Sequence, residues 1–220
     1  MRGLPVLAVL ARWPAPGRCK RRLTRDLDQR LHLRHASRRS AQLQGRLTIH
    51  TMAVVGALAG EGHLQPVLAV SGLAHRAARR WGMELGADRV WLQGAGSLGS
   101  RMGQLLRRIH ADFPSSPALL IGTDLPSLNH LDLLLAIELL QDRDLVLGPS
   151  SDGGYWLLGL SAGLLRQPAL WPLGGIPWGA DSVLLHTLDQ AHSASLTIGL
   201  LPQHQDIDRL SDLQPWTGWG

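Results

Sequence analysis

The stretch "LPVLAVLARWPAPGRCKRRL", residues 4–23, decides the fold class. Residues 4–11 are almost all apolar, which is typical of a parallel strand buried on both faces of a sheet. A turn rich in proline and glycine follows, and the chain then becomes basic. A buried strand that leads through a polar turn into a helix is the repeating unit of an α/β sheet.

The same alternation continues to residue 201. Six more apolar runs predict strands over 66–70, 88–93, 118–122, 144–148, 155–160 and 195–201. The intervening segments predict helices over 26–58, 98–112, 129–141 and 180–191, and on the first of them Arg30, Arg34 and Arg38 are expected to line one face. We therefore expect one α/β domain over residues 1–220, with helices on both sides of the sheet.

The composition indicates in which cellular compartment the chain is expected to function. Its one cysteine, Cys19, excludes an internal disulfide and fits a reducing, cytoplasmic location, and the cationic residues beside it can lower the pKa of its thiol. No apolar run approaches the roughly 18 residues that a membrane helix needs. The apolar run near the N-terminus is short and lacks the cleavage site of a signal peptide.

Positive charge is concentrated near the N-terminus. Residues 1–46 hold 12 Lys or Arg against two Asp, whereas the remainder holds 10 Arg against 15 acidic residues. This asymmetry predicts a basic surface that meets an anion, although a solvated Arg-rich helix would give the same composition. Nucleic acid is the less favoured anion, because the chain lacks the aromatic platform of a single-strand binder.

The first strand is followed by a candidate diphosphate-binding loop. In α/β sheets, ligands bind beyond the carboxyl ends of the strands, and Gly17, Lys20 and Arg22 stand at such an end. Gly17 lets backbone N–H groups approach a ligand, and Lys20, the only lysine, offers a compact and mobile charge. The spacing is not that of a Walker A loop. A basic loop leading into a basic helix is the alternative interpretation.

Carboxylates follow three later strands. Asp124 ends the apolar run of "LLIGTDLPSL" (119–128), and Asp206 and Asp208 alternate in "QDIDRLSDL" (205–213), so they point the same way in an extended segment. Such oxygens suit Mg²⁺ or Mn²⁺, although turn and helix capping would use them too. In "LGPSSDGGYWLLGL" (147–160), Asp152 either deprotonates an acceptor or belongs to an Asp-Gly hairpin, and the spacing alone favours the hairpin.

A competing signal lies in "VWLQGAGSLGSRMG" (90–103). Gly94, Gly96 and Gly99 form a G-x-G-x-x-G pattern behind a predicted strand, which is the fingerprint of an NAD(P)-binding oxidoreductase. That fingerprint normally opens its fold, whereas two predicted strands precede it here. It also leaves the Lys20 loop and the Asp206/Asp208 pair without a role, so this interpretation is less favoured.

Taken in order, the motifs resemble those of a known family. "ARWPAPGRCKRRL", "LGSRM", "GTDLP", "LGPSSDGGY", "IPW" and "DIDRLSDL" span about residues 4–213. They are similar to the bacterial GT-A-like glycosyltransferases known as rSAM/selenodomain-associated or arsenosugar-biosynthesis transferases. The resemblance implies a single-domain, nucleotide-diphospho-sugar transferase α/β/α sandwich with a mostly parallel mixed sheet. One departure is Arg21, which stands where the family has threonine.

The resemblance also implies roles for individual residues. It places the donor diphosphate on Gly17, Lys20, Arg22, Gly99 and Arg101. It places Mg²⁺ or Mn²⁺ on Asp124, Asp206 and Asp208, and it makes Lys20, Arg22 and Asp152 the catalytic residues. The acceptor pocket would be lined by Gly153, Gly154, Tyr155, Trp156 and Trp178.

The implied activity is metal-dependent transfer of a sugar from a nucleotide-diphospho-sugar to a small-molecule acceptor, with arsenosugar biosynthesis as the family's label. The alternative is a nucleotidyltransferase of the molybdenum-cofactor or phospholactate guanylyltransferase type, which would release pyrophosphate. Neither activity involves nucleic acid or a membrane span. The sequence leaves the oligomeric state open.

Overall fold

A computed structural model describes residues 3–216. Within them, seven strands form one sheet, and each overlaps one of the seven predicted runs. The strands are β1 (Val6–Arg12), β2 (Gln65–Ser71), β3 (Val90–Leu92), β4 (Ala118–Ile121), β5 (Leu145–Pro149), β6 (Tyr155–Leu160) and β7 (Ile198–Leu200).

The strand order is β3-β2-β1-β4-β6-β5-β7, and β6 runs antiparallel to both of its neighbours while the other pairs are parallel. After β1 the chain moves to β2 and β3 on one side, and it later returns to place β4 on the other side. The order therefore reverses between β1 and β4, and a crevice is expected beyond the carboxyl ends of these two strands.

Helices cover both faces of the sheet. They are α1 (Arg21–Gln29), α2 (Ala36–Gly60), α3 (His75–Glu84), α4 (Leu98–Asp112), α5 (His130–Leu139), α6 (Ala162–Leu165) and α7 (Val183–Ser193), with 3-10 turns at Pro168–Leu170 and Leu210–Trp216. Alternate residues of β1 enter different apolar cores, with Leu7 and Val9 in one and Val6 and Ala8 in the other. The expected α/β/α sandwich with a mostly parallel mixed sheet is confirmed.

The predicted helix over 26–58 is wrong in one respect, because it is two helices. The chain turns between α1 and α2, where His32 and His35 adopt left-handed backbone angles, with φ of 48° and 62°. Glycine and proline, the usual signals of such a break, are absent from residues 30–35.

The turn also removes the predicted arginine face. Arg30 caps the end of α1, Arg34 lies in the turn, and Arg38 lies in the first turn of α2. These side chains do not line one helix, so the expected arginine face is not formed.

The helix α3 was not predicted. It is rich in arginine, and its buried face consists of Ala78, Trp81 and Gly82, which is too small to give a clear apolar period. Among residues 3–216, no helix is both long and apolar enough to cross a bilayer.

Candidate active site

A cleft of about 750 Å³ lies beyond the carboxyl ends of the strands, which is a volume typical of small-molecule sites. Loops after β1, β4, β5 and β7 and the start of α4 supply its walls. The cleft is lined by most of the predicted site residues, namely Lys20, Arg22, Arg101, Asp124, Asp152, Gly154, Tyr155, Trp156, Trp178, Asp206 and Asp208. Gly17, Gly99 and Gly153 are not among its lining residues.

The Lys20 ammonium is buried at the crevice between β1 and β4. Its Nζ atom donates to Asp124 Oδ1 at 2.6 Å and to the backbone carbonyl of Ile207, and the Lys20 side chain is 3% exposed. The residue has a left-handed φ of 47° and begins α1. The mobile ammonium expected from the sequence is therefore wrong for this state, since the charge is held by groups 104 and 187 positions away.

A second ion pair joins the start of α1 to the loop after β7. Arg22 Nη1 lies 2.9 Å from Asp208 Oδ2, with side-chain exposures of 55% and 36%. An exposed pair of this kind adds little stability and exchanges partners readily. The cations predicted for a diphosphate and two of the carboxylates predicted for a metal thus contact each other.

Asp206 lies in a cluster of carboxylates. Its Oδ1 accepts a hydrogen bond from Ser150 Oγ at 2.9 Å. Burial raises the pKa of Asp206, and the negative charges of Asp152 and Asp124 raise it further. A site that destabilises the ionised form of a carboxylate in this way is stabilised by a bound cation.

The oxygen donors of this cluster fit a hard divalent cation. In the described part of the chain, no three His, Cys, Asp or Glu side chains are arranged as a complete set of metal ligands. Mg²⁺, however, is usually held by one or two carboxylates together with substrate phosphates. Asp206 and a neighbouring carboxylate could provide such a partial site.

Asp206→Asn is expected to raise the thermal midpoint of the ligand-free protein at neutral pH. Because the folded-state pKa of Asp206 is raised, the folded chain binds this proton more tightly than the unfolded chain does. Its contribution to stability is complete below the unfolded pKa and is lost as pH rises through the folded pKa. The neutral amide avoids that loss and still offers an oxygen to Ser150.

Thermal unfolding of both proteins between about pH 3 and pH 8 measures this effect. The advantage of the variant should grow as pH rises. Asp142→Asn, at an exposed carboxylate outside the cleft lining, is the control and should show no such trend. A variant that is less stable than the wild type at neutral pH would contradict the prediction.

The opposite side of the cleft, over β1 to β3, is cationic. Arg101 Nη1 donates to Gln93 Oε1 at 2.9 Å, and the Gln93 amide donates to the carbonyls of Ala11 at 3.1 Å and Ala69 at 2.9 Å. Burial lowers the pKa of Arg101, and the charge of Arg12 lowers it further. Gln93 therefore anchors a guanidinium that lies beside another guanidinium.

Arg12 and Gln93 were missed in the sequence. Both line the cleft, and each directly ends or follows a strand, at β1 and β3. The strand-end rule that singled out Lys20 and Asp124 could have found them.

The G-x-G-x-x-G glycines serve local packing. None of them is among the lining residues of the cleft, and β3, which precedes them, is an edge strand. A Cβ atom on Gly99 would lie 2.5 Å from Trp178 Nε1, and one on Gly94 would lie 2.1 Å from Gln104 Oε1. Gly99 thus leaves room for Trp178, which itself lines the cleft.

The Asp152 segment forms the hairpin that its spacing favours. It is the turn of the β5–β6 hairpin, in which Gly154 N donates to Asp152 Oδ1 at 3.0 Å. Gly153 has a φ of +85°, and a Cβ atom there would lie 1.9 Å from the Asp181 carbonyl oxygen. The hairpin is confirmed, and its Asp152 lines the cleft.

The aromatic residues differ in their surroundings. Tyr155 and Trp178 meet edge to face with ring centroids 6.3 Å apart, and burial raises the pKa of the Tyr155 phenol. Trp156 is 6% exposed, and most of its ring packs in one of the two cores, so only part of it is available to a ligand.

Cys19 differs from the expectation. Burial raises the pKa of its thiol and outweighs the lowering effect of Lys20 and Arg12. Proximity to cations in the sequence was therefore a poor guide to this thiol.

The sheet order and the position of the cleft define the class of fold, which is that of the GT-A-like nucleotide-diphospho-sugar transferases. A crystal structure of a protein from Desulfovibrio desulfuricans G20, provisionally described as a nucleotide-diphospho-sugar transferase, is 24% identical, with a TM-score of 0.77, and the match covers 95% of this chain and 84% of that one. By its own sequence, the chain belongs to the family described as "Uncharacterized protein conserved in bacteria (DUF2064)", whose model matches residues 48–180.

Two more distant structures share the fold. The 4-diphosphocytidyl-2C-methyl-D-erythritol synthase of Anaerococcus prevotii DSM 20548 is 10% identical, with a TM-score of 0.57 over 96% of this chain and 94% of that one. Glucosyl-3-phosphoglycerate synthase of Mycobacterium tuberculosis, crystallised with Mn²⁺, UDP and glucosyl-3-phosphoglycerate, is 12% identical, with a TM-score of 0.54 over 93% and 71%. No curated protein matches the chain by sequence.

Proposed function

We propose that this chain is a metal-dependent transferase that uses a nucleotide-diphospho-sugar donor and moves the sugar to a small-molecule acceptor. The observation that carries the proposal is that one cleft combines cations with carboxylates, of which two are already joined to cations in ion pairs. A nucleoside diphosphate and a divalent cation together complement such a surface.

In this proposal the diphosphate is bound by cations of the β1 loop and of α4. Arg12 and Arg101 both line the cleft, and Arg22 reaches it through an exposed ion pair that a phosphate can replace. Lys20 would add a charge at the base of the crevice. Placing positive charge where the leaving diphosphate gains negative charge lowers the barrier to transfer.

The carboxylates have two proposed roles. Asp206, together with Asp124 or Asp208, would hold Mg²⁺ or Mn²⁺, which when bound neutralises charge on the leaving nucleoside diphosphate. Asp152, at the hairpin turn, would orient the acceptor hydroxyl and take its proton. Tyr155, Trp178 and the exposed part of Trp156 would form the acceptor wall beside Gly154.

Nucleotidyl transfer is the second candidate, and the number of cations favours it. Arg12, Lys20, Arg22 and Arg101 all line the cleft, which is enough positive charge for a triphosphate. A nucleotidyltransferase would release pyrophosphate, whereas a glycosyltransferase would release a nucleoside diphosphate. Analysis of the released product separates the two.

A thermal-shift panel tests the proposal. It contains nucleoside di- and triphosphates, nucleotide sugars and NAD(P), each with and without Mn²⁺. A ligand at a hundred times its Kd adds about 2.7 kcal/mol, which for a chain of this size shifts the midpoint by about 5–10 °C. A metal-dependent shift with nucleotide sugars is expected.

Other outcomes would redirect the proposal. Metal-dependent shifts with triphosphates alone would indicate nucleotidyl transfer. A metal-free shift with NAD(P) alone would contradict both transferase activities. Once the donor is known, acceptors can be compared by product analysis, beginning with the arsenosugar precursors that the family resemblance suggests.

A further inference from the structure

The loop after β7, residues 201–209, carries the most charged part of the proposed site. It bears Asp206 and Asp208, and the Ile207 carbonyl accepts from the buried Lys20 ammonium. Apart from an isolated bridge between Ser150 and His204, no residue of this loop belongs to a strand or a helix. Contacts with other segments must therefore fix its position.

His204 makes the densest set of these contacts. Its backbone N–H donates to the Pro149 carbonyl and its carbonyl accepts from Ser151 N, both at 3.0 Å. Its ring Nδ1 lies 2.9 Å from Ser127 Oγ, and its Nε2 lies 3.0 Å from Asp132 Oδ1. The side chains of His204 and Asp132 are only 15% and 9% exposed.

The direction of these hydrogen bonds follows from the partners. Asp132 Oδ2 already accepts the Asn129 N–H at 2.9 Å within the capping box of α5. Because an ionised carboxylate only accepts, His204 Nε2 must carry a proton toward Asp132. In the neutral ring Nδ1 is then an acceptor, and the Ser127 hydroxyl donates to it. All three side chains are satisfied in one orientation.

The trio Ser127, His204 and Asp132 has the residue types of a hydrolytic triad. None of the three, however, is among the residues that line the cleft. The carboxylate is committed to the start of α5, and the edge of Trp156 packs against the imidazole with ring centroids 5.2 Å apart. We therefore interpret the trio as a fixed connection between segments of the chain and not as a hydrolytic site whose nucleophile a substrate could reach.

We infer that His204 is a positioning residue: its ring ties the β4–α5 loop, which carries Asp124, to the β7 loop, which carries Asp206. The Ile207 N–H, which donates to the Asp124 carbonyl at 3.0 Å, completes the connection between these loops. The separation of the two carboxylates is thereby set before a ligand arrives. This inference rests on the proposed function, in which both carboxylates serve one metal–diphosphate site.

The test compares His204→Ala with His204→Gln, whose amide nitrogen can occupy the position of Nε2 and donate to Asp132. The readout is the Kd for Mn²⁺ with the nucleoside diphosphate that gives the largest shift in the panel, measured by calorimetry well below the thermal midpoint. His204→Ala should raise the Kd about tenfold, the size expected for losing a hydrogen bond to a charged group. His204→Gln should recover most of that loss.

Thr197→Val is the matched control. It removes the hydrogen bond from Thr197 Oγ1 to Asp144 Oδ2 at 2.7 Å, just before β7 and away from the cleft. It should lower the thermal midpoint and leave the Kd unchanged. Should His204→Ala fail to fold, Ser127→Ala replaces it, because that variant removes only one contact of the ring and should raise the Kd in the same direction.

The outcomes are distinguishable. A wild type that binds no Mn²⁺–nucleotide would overturn the proposed function, and the inference with it. A wild type that binds, together with a folded His204→Ala of unchanged Kd, would overturn the inference alone. A raised Kd that glutamine does not recover would exclude the Asp132 hydrogen bond as the positioning contact.

Discussion

Replacing Lys20 with methionine is expected to lower kcat/KM by about two to three orders of magnitude, as removal of one fixed charge-stabilising donor does in other active sites. The ammonium lies at the crevice between β1 and β4, 2.6 Å from Asp124, where the diphosphate would meet the carboxylate side of the cleft. Methionine keeps an unbranched side chain that is one atom shorter, and it removes the ammonium together with the hydrogen bonds to Asp124 and the Ile207 carbonyl. Steady-state kinetics with the donor found in the panel, and calorimetric donor affinity, measure the effect.

The loss should be one of function more than of stability. Asp124 is 48% exposed, so water can solvate its carboxylate when the ammonium is gone, whereas the Ile207 carbonyl loses a buried donor, which is expected to cost about 1–3 kcal/mol. Arg25→Ala is the matched control, because Arg25 is an exposed cation on α1 that does not line the cleft. Unchanged donor affinity and turnover in the Lys20 variant would show that the buried lysine is a structural element only.

Gly153→Ala is expected to have the largest effect on stability. The new Cβ atom would lie 1.9 Å from the Asp181 carbonyl oxygen, and φ at this position is +85°. Because both obstacles are in the backbone, the turn must move. A cost of about 3–4 kcal/mol is expected for the combined strain and clash, which lowers the thermal midpoint by roughly 6–15 °C.

Activity should fall together with stability, because Asp152 belongs to the same turn and the Gly153 carbonyl accepts from Leu184 N at 2.9 Å. Gly62→Ala separates the strain of a positive φ from the clash with Asp181, since Gly62 has a similar φ of +80° but open space around its Cβ position. That control should cost only about 1 kcal/mol. Equal losses in the two variants would mean that the contact with Asp181 is unimportant.

Much of the architecture could be predicted because it is encoded locally. Strands buried on both faces are apolar along their whole length, so the apolar runs at 4–11 and 118–122 clearly predicted buried strands. Polar residues in the loops that follow such strands, such as Lys20 and Asp124, fall at the ligand-binding edge because ligands of α/β sheets bind beyond the carboxyl ends of the strands. The helix α4 spans the predicted residues 98–112, and its start is encoded locally, because the side-chain oxygen of Ser97 accepts a hydrogen bond from Ser100 N at 3.2 Å.

Other features had no local signal. The turn between α1 and α2 depends on His32 and His35 in left-handed conformations, which histidine adopts more often than most residues do but too rarely for a prediction. The G-x-G-x-x-G pattern matches the dinucleotide-binding fingerprint in the sequence, but the strand that precedes it, β3, lies at the edge of the sheet. The pKa of Cys19 is raised because burial outweighs the cations beside it.

The sequence by itself determined the fold class, the strands and the residue types at the strand ends, since each of these depends on neighbours a few positions apart. Only the tertiary structure decided which charges meet. Lys20 contacts Asp124 across 104 positions, Arg22 contacts Asp208 across 186, and His204 joins loops 72 to 77 positions away. The physical reason is that an ion pair or a hydrogen bond is specified by distance in space, and that distance exists only after the sheet has brought the strand ends together.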